Sequence, residues 1–194
     1  MDLKRCFTTE YVKGTPGYLN SQKKYELVRT VVYFTLSLSL FLAGYLTTNT
    51  RNNLLTIVAI LGCLPASKSL VGTIMFFRYH SLEKSDAESI RIYEEGLYCL
   101  HDMVFTTREK TYPVLHLTIC GNTIAGYLPK GKGTEESCAG HLRTCLKADG
   151  YTDVTVKLYP ELNRYLERLK QLKQLSAPSG ITEGIINTLK SIAL

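Results

Sequence analysis

The chain has no tryptophan, and its 194 residues include only 6 prolines and 3 methionines. It also lacks any intact catalytic, nucleotide-binding or metal-binding motif, so no chemistry can be read from a short signature. Its six cysteines (Cys6, Cys63, Cys99, Cys120, Cys138 and Cys145) show no spacing of the secreted, disulfide-framework kind. That pattern suits reduced, structural thiols. No secretory leader is expected, because the first apolar run starts about thirty residues in, after a polar segment of mixed charge. Two apolar runs apart, no internal repeat or low-complexity tract is found.

Acidic residues are scarce where basic ones gather. Lys4, Arg5, Lys13, Lys23, Lys24 and Arg29 stand against Asp2, Glu10 and Glu26, and the whole chain carries a net charge of +6. In a soluble protein this excess would suggest nucleic acid. Beside a hydrophobic segment it points to anionic lipid and to control of topology. Residues 1–29 therefore read as a basic cytoplasmic segment exposed to solvent and lipid, in which Gly14, Pro16 and Gly17 break any long helix.

Residues 30–48 carry no charge. As a helix they reach about 28 Å, close to the hydrocarbon thickness of a bilayer. Residues 54–77 form a second run of spanning length, and the turn between them is too short for anything but antiparallel helices. Basic residues recur after the second run at Arg78, Lys84 and Arg91, so the positive-inside bias puts both termini in the cytoplasm. The expectation is a two-helix transmembrane hairpin in a lipid bilayer. Ala59, Gly62, Ala66, Ser69 and Thr73 form a small-residue stripe suited to packing on the first span or on another copy. Pro65 predicts a kink.

Lys68 lies deep in the second run, where a lysine costs on the order of 3 kcal/mol. It reads as a functional buried charge, as a snorkelling side chain, or as a sign that Pro65 splits the run and leaves 66–78 as a shallow interfacial helix. The first span offers it no acidic partner. Pro65, Ala66, Lys68 and Ser69 are the candidate functional or packing residues of the hairpin.

Residues 85–175 have the composition of a small cytoplasmic α+β domain. Ser85 and Glu88 have capping-box spacing, which predicts a helix over 86–95 stopped by Gly96. Alternating runs at 97–107, 113–120 and 123–128 predict three strands, the last two joined at Gly121-Asn122. Leu115, Leu117 and Ile119 are expected on one face. Thr134 caps a helix with Cys138, Leu142, Cys145 and Leu146 on its buried side. A strand over 153–158 follows, then a helix over 161–175 with Leu162, Leu166, Leu169 and Leu172 facing the core. Residues 176–194 supply a linker and an amphipathic helix. Its Ile185, Ile186, Leu189 and Ile192 must dock on the domain, a second subunit or the membrane surface. The fold class expected is thus membrane-anchored α+β: a transmembrane hairpin, an α-β-β-β-α-β-α domain and a C-terminal helix.

Candidate chemistry is sparse. Cys138, His141 and Cys145 are zinc-type ligands on one helix, with Cys99, His101 or Cys120 to add a fourth. Three ligands from one helix rarely meet tetrahedral angles, and a buried apolar role for the cysteines is favoured. No metal or other cofactor is expected. Lys130, Lys132 and Arg143 form a candidate anion-binding group, because the KGKG loop precedes a helix N-terminus. Glu161 and Glu167 dilute Arg164 and Arg168, so a nucleic-acid surface is not indicated.

The order helix, three strands, helix, strand, helix is similar to the core of restriction-endonuclease-like nucleases over 85–175. The resemblance implies an aspartate opening the second core strand and a Glu-x-Lys type pair on the third. Here 114–120 offers only His116, and Ala125, Gly126 and Tyr127 stand where the third-strand acids belong. Metal-dependent phosphodiester hydrolysis needs those carboxylates, so the resemblance implies a degenerate, non-catalytic relative. The expectation is a non-enzymatic, membrane-anchored binding or scaffold protein that self-associates or holds another membrane or cytoplasmic protein. The alternatives are the degenerate nuclease-like domain and an oligomeric transport or channel accessory using Lys68.

Overall fold

The computed structural model describes residues 13–48, 54–107, 109–129, 134–175 and 181–194. Leu19–His80 belong to one compact unit; Ser81–Leu194, with the stretch just before Leu19, belong to another.

The first unit is built on α1 (Tyr18–Thr48) and α2 (Leu54–Phe77). Both are long and apolar enough to cross a membrane. Helix α1 runs without a break from the polar 18–29 stretch into the apolar 30–48 stretch, so Glu26 shares a helix with the first apolar run. Helix α2 likewise continues through Pro65 as one element. A separate interfacial helix beginning at Ala66 is therefore not formed.

The second unit is a mixed α+β domain. A four-stranded sheet has the order β1-β2-β3-β4, with β1 at Tyr98–Thr106, β2 at Thr111–Cys120, β3 at Thr123–Tyr127 and β4 at Thr155–Tyr159. The first three strands form an antiparallel meander, and β4 lies parallel to β3. A parallel neighbour needs a crossover, supplied by α4 (Glu135–Ala148). Helix α4 and α6 (Ile181–Ile192) cover one face, where Leu142, Leu146, Ile185 and Leu189 are buried with Leu117, Ile119 and Val156. The other face carries α3 (Lys84–Glu94) and α5 (Leu162–Leu175), packed through Ile90, Tyr165, Leu169 and Leu172. Each fully buried leucine or isoleucine contributes about 1.5–3 kcal/mol of burial energy, so both helix layers are held by their apolar stripes.

Two local expectations are corrected. Helix α3 starts at Lys84 with Glu83 at its N-cap and no side-chain cap, and the Ser85 hydroxyl donates instead to Asp86 at 3.4 Å. In α5 the four leucines face the core as expected, Leu169 and Leu172 buried and Leu162 and Leu166 packed partly buried against them, and Tyr165 joins them fully buried. Leu115 does not share a face with Leu117 and Ile119: it packs with the α3–α5 cluster, they with the α4–α6 cluster.

The last difference has a backbone cause. Asp102 is the one non-glycine residue with positive φ (54°) among those described, and its pairing with Leu115 is missing from an otherwise in-register β1–β2 ladder. Alternation slips by one residue there on both strands. Leu100 and Met103 consequently fall in one cluster although three apart, as do Val114 and Leu117. Cross-strand partners point to the same face, so His101 and His116, directly paired, both turn toward α3 and α5.

Strand β1 is an edge, and exposed edges invite pairing with other chains. Here chain from both ends covers it. The Gly14 carbonyl accepts the His101 amide at 2.9 Å, and the Leu194 amide donates to the Val104 carbonyl at 2.9 Å. Lys13 donates to the Ala193 carbonyl at 2.8 Å at the C-terminal end of α6, where a cation suits the helix dipole. Lys13 is thus a capping residue of the domain, not part of a solvated, lipid-facing anchor.

Candidate functional site

Four elements bring their polar side chains together on the α3–α5 side of the sheet. Glu94 ends α3, His101 lies on β1, His116 on β2 and Tyr165 on α5. Glu94 Oε1 lies 3.0 Å from His116 Nε2 and 3.6 Å from His101 Nε2. His116 Nδ1 lies 2.5 Å from the Tyr165 hydroxyl, which lies 2.9 Å from Thr118 Oγ1. Cys99 Sγ continues the chain, 3.6 Å from Thr118 Oγ1. The two imidazole rings meet edge to face at 4.7 Å.

Chemistry assigns the protons. An ionised carboxylate can only accept, so His116 Nε2 donates to Glu94, and in the neutral imidazole Nδ1 then accepts from the Tyr165 hydroxyl. Tyr165 oxygen then accepts from Thr118, and Thr118 from the Cys99 thiol. All donors point one way, from Cys99 toward Glu94, and such chains polarise one another in a dry interior. Burial decides the ionisation of the rest. Glu94 is held below the usual carboxylate range, chiefly by the hydrogen bond from His116, with burial opposing. Burial pushes His101 down to about 4, so its imidazole is neutral at pH 7. Burial likewise raises the Tyr165 phenol well above its ordinary value and the Cys99 thiol to about 12.

His116 and Tyr165 are fully buried, whereas Glu94 and His101 reach the surface. They line a cleft of about 510 Å³ with Pro16, Lys84, Glu88 and Arg91. The groups that meet solvent are a carboxylate and a neutral imidazole. Cys99 is protonated, and His116 is bonded at both nitrogens. Glu94, His101 and His116 each offer one ligand atom, and these atoms lie within 4.8 Å of one another.

The residues singled out from sequence fall elsewhere. Cys138 is buried among Leu142 and Leu146, and burial raises its thiol to about 12. Cys145 stays with His141, at 3.7 Å, so these three do not converge. Arg143 donates to the Val156 carbonyl at 2.7 Å and approaches Glu136 at 3.5 Å. Lys130 and Lys132 lie outside the described residues. Strand β3 presents no acid: Ala125 and Tyr127 pack in the core, and a side chain at Gly126 would strike Leu158 and Leu117.

In the hairpin, Ala59, Ala66, Ser69 and Thr73 are buried. The Ser37 hydroxyl donates to the Ala59 carbonyl at 2.6 Å, and Thr30 Oγ1 lies within 2.9 Å of both Ser69 and Thr73 hydroxyls. The stripe is occupied by α1 of the same chain. Pro65 and Lys68 are exposed outside this seam. Glu26 turns to Ser69, at 3.4 Å, rather than to Lys68.

His101, Glu94 and Tyr165 were not legible as a site because register and helix docking bring them together across more than 70 residues of chain, from Glu94 to Tyr165. One signal existed: His116 interrupts an apolar strand, and a buried imidazole needs partners. The chain matches no known protein family, no curated protein and no solved structure.

Proposed function

We propose that this is a membrane-anchored binding protein, tethered by the α1–α2 hairpin with both termini in the cytoplasm, whose α+β domain takes its ligand in the Glu94–His101 cleft. The observation that carries the anchor is the polarity of the hairpin. Four of its hydroxyls, Thr30, Ser37, Ser69 and Thr73, are buried and bonded between the helices, while Leu46, Leu64 and Val71 are 75, 68 and 66% exposed. Water disfavours such a surface, and hydrocarbon fits it. The basic residues ahead of α1 and after α2 support the cytoplasmic orientation.

A binding role is favoured by the open cleft, which presents a carboxylate and an imidazole to a ligand. The missing acids on β3 weigh against nuclease chemistry. A closed two-helix seam with Lys68 outside it weighs against a transport pathway. The test is fractionation of cells expressing the full chain. Resistance to alkaline carbonate with release by detergent is expected; release by carbonate alone sinks the anchor.

A further inference from the structure

We propose that Glu94 Oε1, His101 Nε2 and His116 Nε2 bind one zinc ion, with a fourth position open to the cleft for water. The inference rests on the reading that this cleft is the ligand site of the domain.

The geometry comes first. All three ligand atoms lie within 4.8 Å of one another, with Glu94 3.0 and 3.6 Å from the two imidazoles. Tetrahedral zinc with bonds near 2.1 Å needs ligand atoms about 3.4 Å apart. Small side-chain rotations close the difference. Two imidazoles and one carboxylate suit zinc and similar transition metals better than magnesium or calcium, which prefer oxygen alone. Three protein ligands with the fourth side facing a cleft is the arrangement of an open zinc site.

The surroundings favour the same ion. A zinc-bound histidine usually donates its other ring N–H to a fixed acceptor. His116 has that acceptor in Tyr165, held by Thr118. Zinc needs the Nε2 lone pair, so the imidazole takes its other tautomer: the proton sits on Nδ1 and is donated to the Tyr165 oxygen. The Tyr165 hydroxyl then turns to Thr118, and no proton is gained or lost overall. Hydroxyl groups both donate and accept, so the chain can reverse direction in place. The slip at Asp102 also finds a use, because it lets β1 bury Met103 on one face while His101 faces Glu94 on the other.

The test uses the full chain in detergent, stripped with chelator and titrated with zinc against a chromophoric competitor. One equivalent is expected to bind below about 1 μM. Cobalt(II) in its place should give the strong visible absorption of a four-coordinate ion. His101→Ala and Glu94→Gln should each weaken binding more than about tenfold, and Tyr165→Phe, a positioning change, about 10–100-fold with an altered cobalt spectrum. Cys145→Ser should leave binding unchanged, which separates this site from the cysteine-bearing helix. Circular dichroism melts confirm that each variant is folded. Absence of binding below about 1 μM by the folded wild type, or binding untouched by both ligand changes, overturns the proposal. Neither result bears on carbonate resistance, so failure of the zinc site and failure of the anchor are told apart.

Discussion

Glu94 Oε1 stands 3.0 Å from His116 Nε2, joining the last residue of α3 to the interior of β2. The bond ties a helix end to a strand that local sequence does not connect, and it heads the chain through Tyr165 and Thr118. Loss of one buried partner leaves the other unsatisfied, at about 1–3 kcal/mol. Tyr165→Phe and His116→Ala should each lower the melting temperature of the metal-free protein. The double variant should cost less than the sum, by roughly 0.5–3 kcal/mol. Strict additivity in thermal melts would show that the two side chains do not act as a network.

Two glycines should respond oppositely to alanine. Gly14 has φ +94°, and a Cβ there would lie 2.6 Å from Leu100 Cδ2. Gly14→Ala should destabilise the domain by at least about 1–2 kcal/mol, the cost of left-handed backbone for an L-residue. Gly140 lies in α4 with nothing within 4 Å of its Cβ position. Gly140→Ala should stabilise by about 1 kcal/mol through helix propensity. Melting curves of the two variants, compared with wild type, decide both.

The hairpin seam can be locked. Ser37 Oγ lies 3.3 Å from Cys63 Sγ across the α1–α2 contact. Ser37→Cys should form a disulfide with Cys63 on mild oxidation, seen as a mobility shift without reductant. The shift should vanish when Cys63→Ser is added. Persistence in that control would place the helices in another register.

Lys68 lies outside the seam and is exposed. Added to the Ser37→Cys chain, Lys68→Met should leave the yield of the cross-link to Cys63 unchanged while improving membrane insertion. A reduced yield would give Lys68 a part in helix packing.

Thiol labelling should follow burial. Cys138 is buried, with its thiol raised to about 12. At pH 8 roughly one part in ten thousand is then thiolate, the reactive form. Alkylation of Cys138 should be negligible until denaturant is added, whereas the half-buried Cys145 reacts in the native protein. Mass spectrometry of labelled peptides reads both; fast native labelling of Cys138 would contradict its place in the core.

Periodicity made much of this chain legible. Apolar steps of three and four in 161–175, and alternation in 153–158, announce a helix and a strand because those patterns are local to the backbone. The stripe Ala59, Ala66, Ser69 and Thr73 was readable for the same reason, and so was the apolar length of the two runs. Local pattern does not say which surface an element meets. Only the packed hairpin turned the stripe onto α1 and left Lys68 outside. Only the β1–β2 register placed His101 opposite His116, and only the docking of α3 and α5 brought Glu94 and Tyr165 to them. The slip at Asp102 moved Leu115 to the opposite face from Leu117, against plain alternation. It is a backbone event set by two strands together, and neither strand alone encodes it.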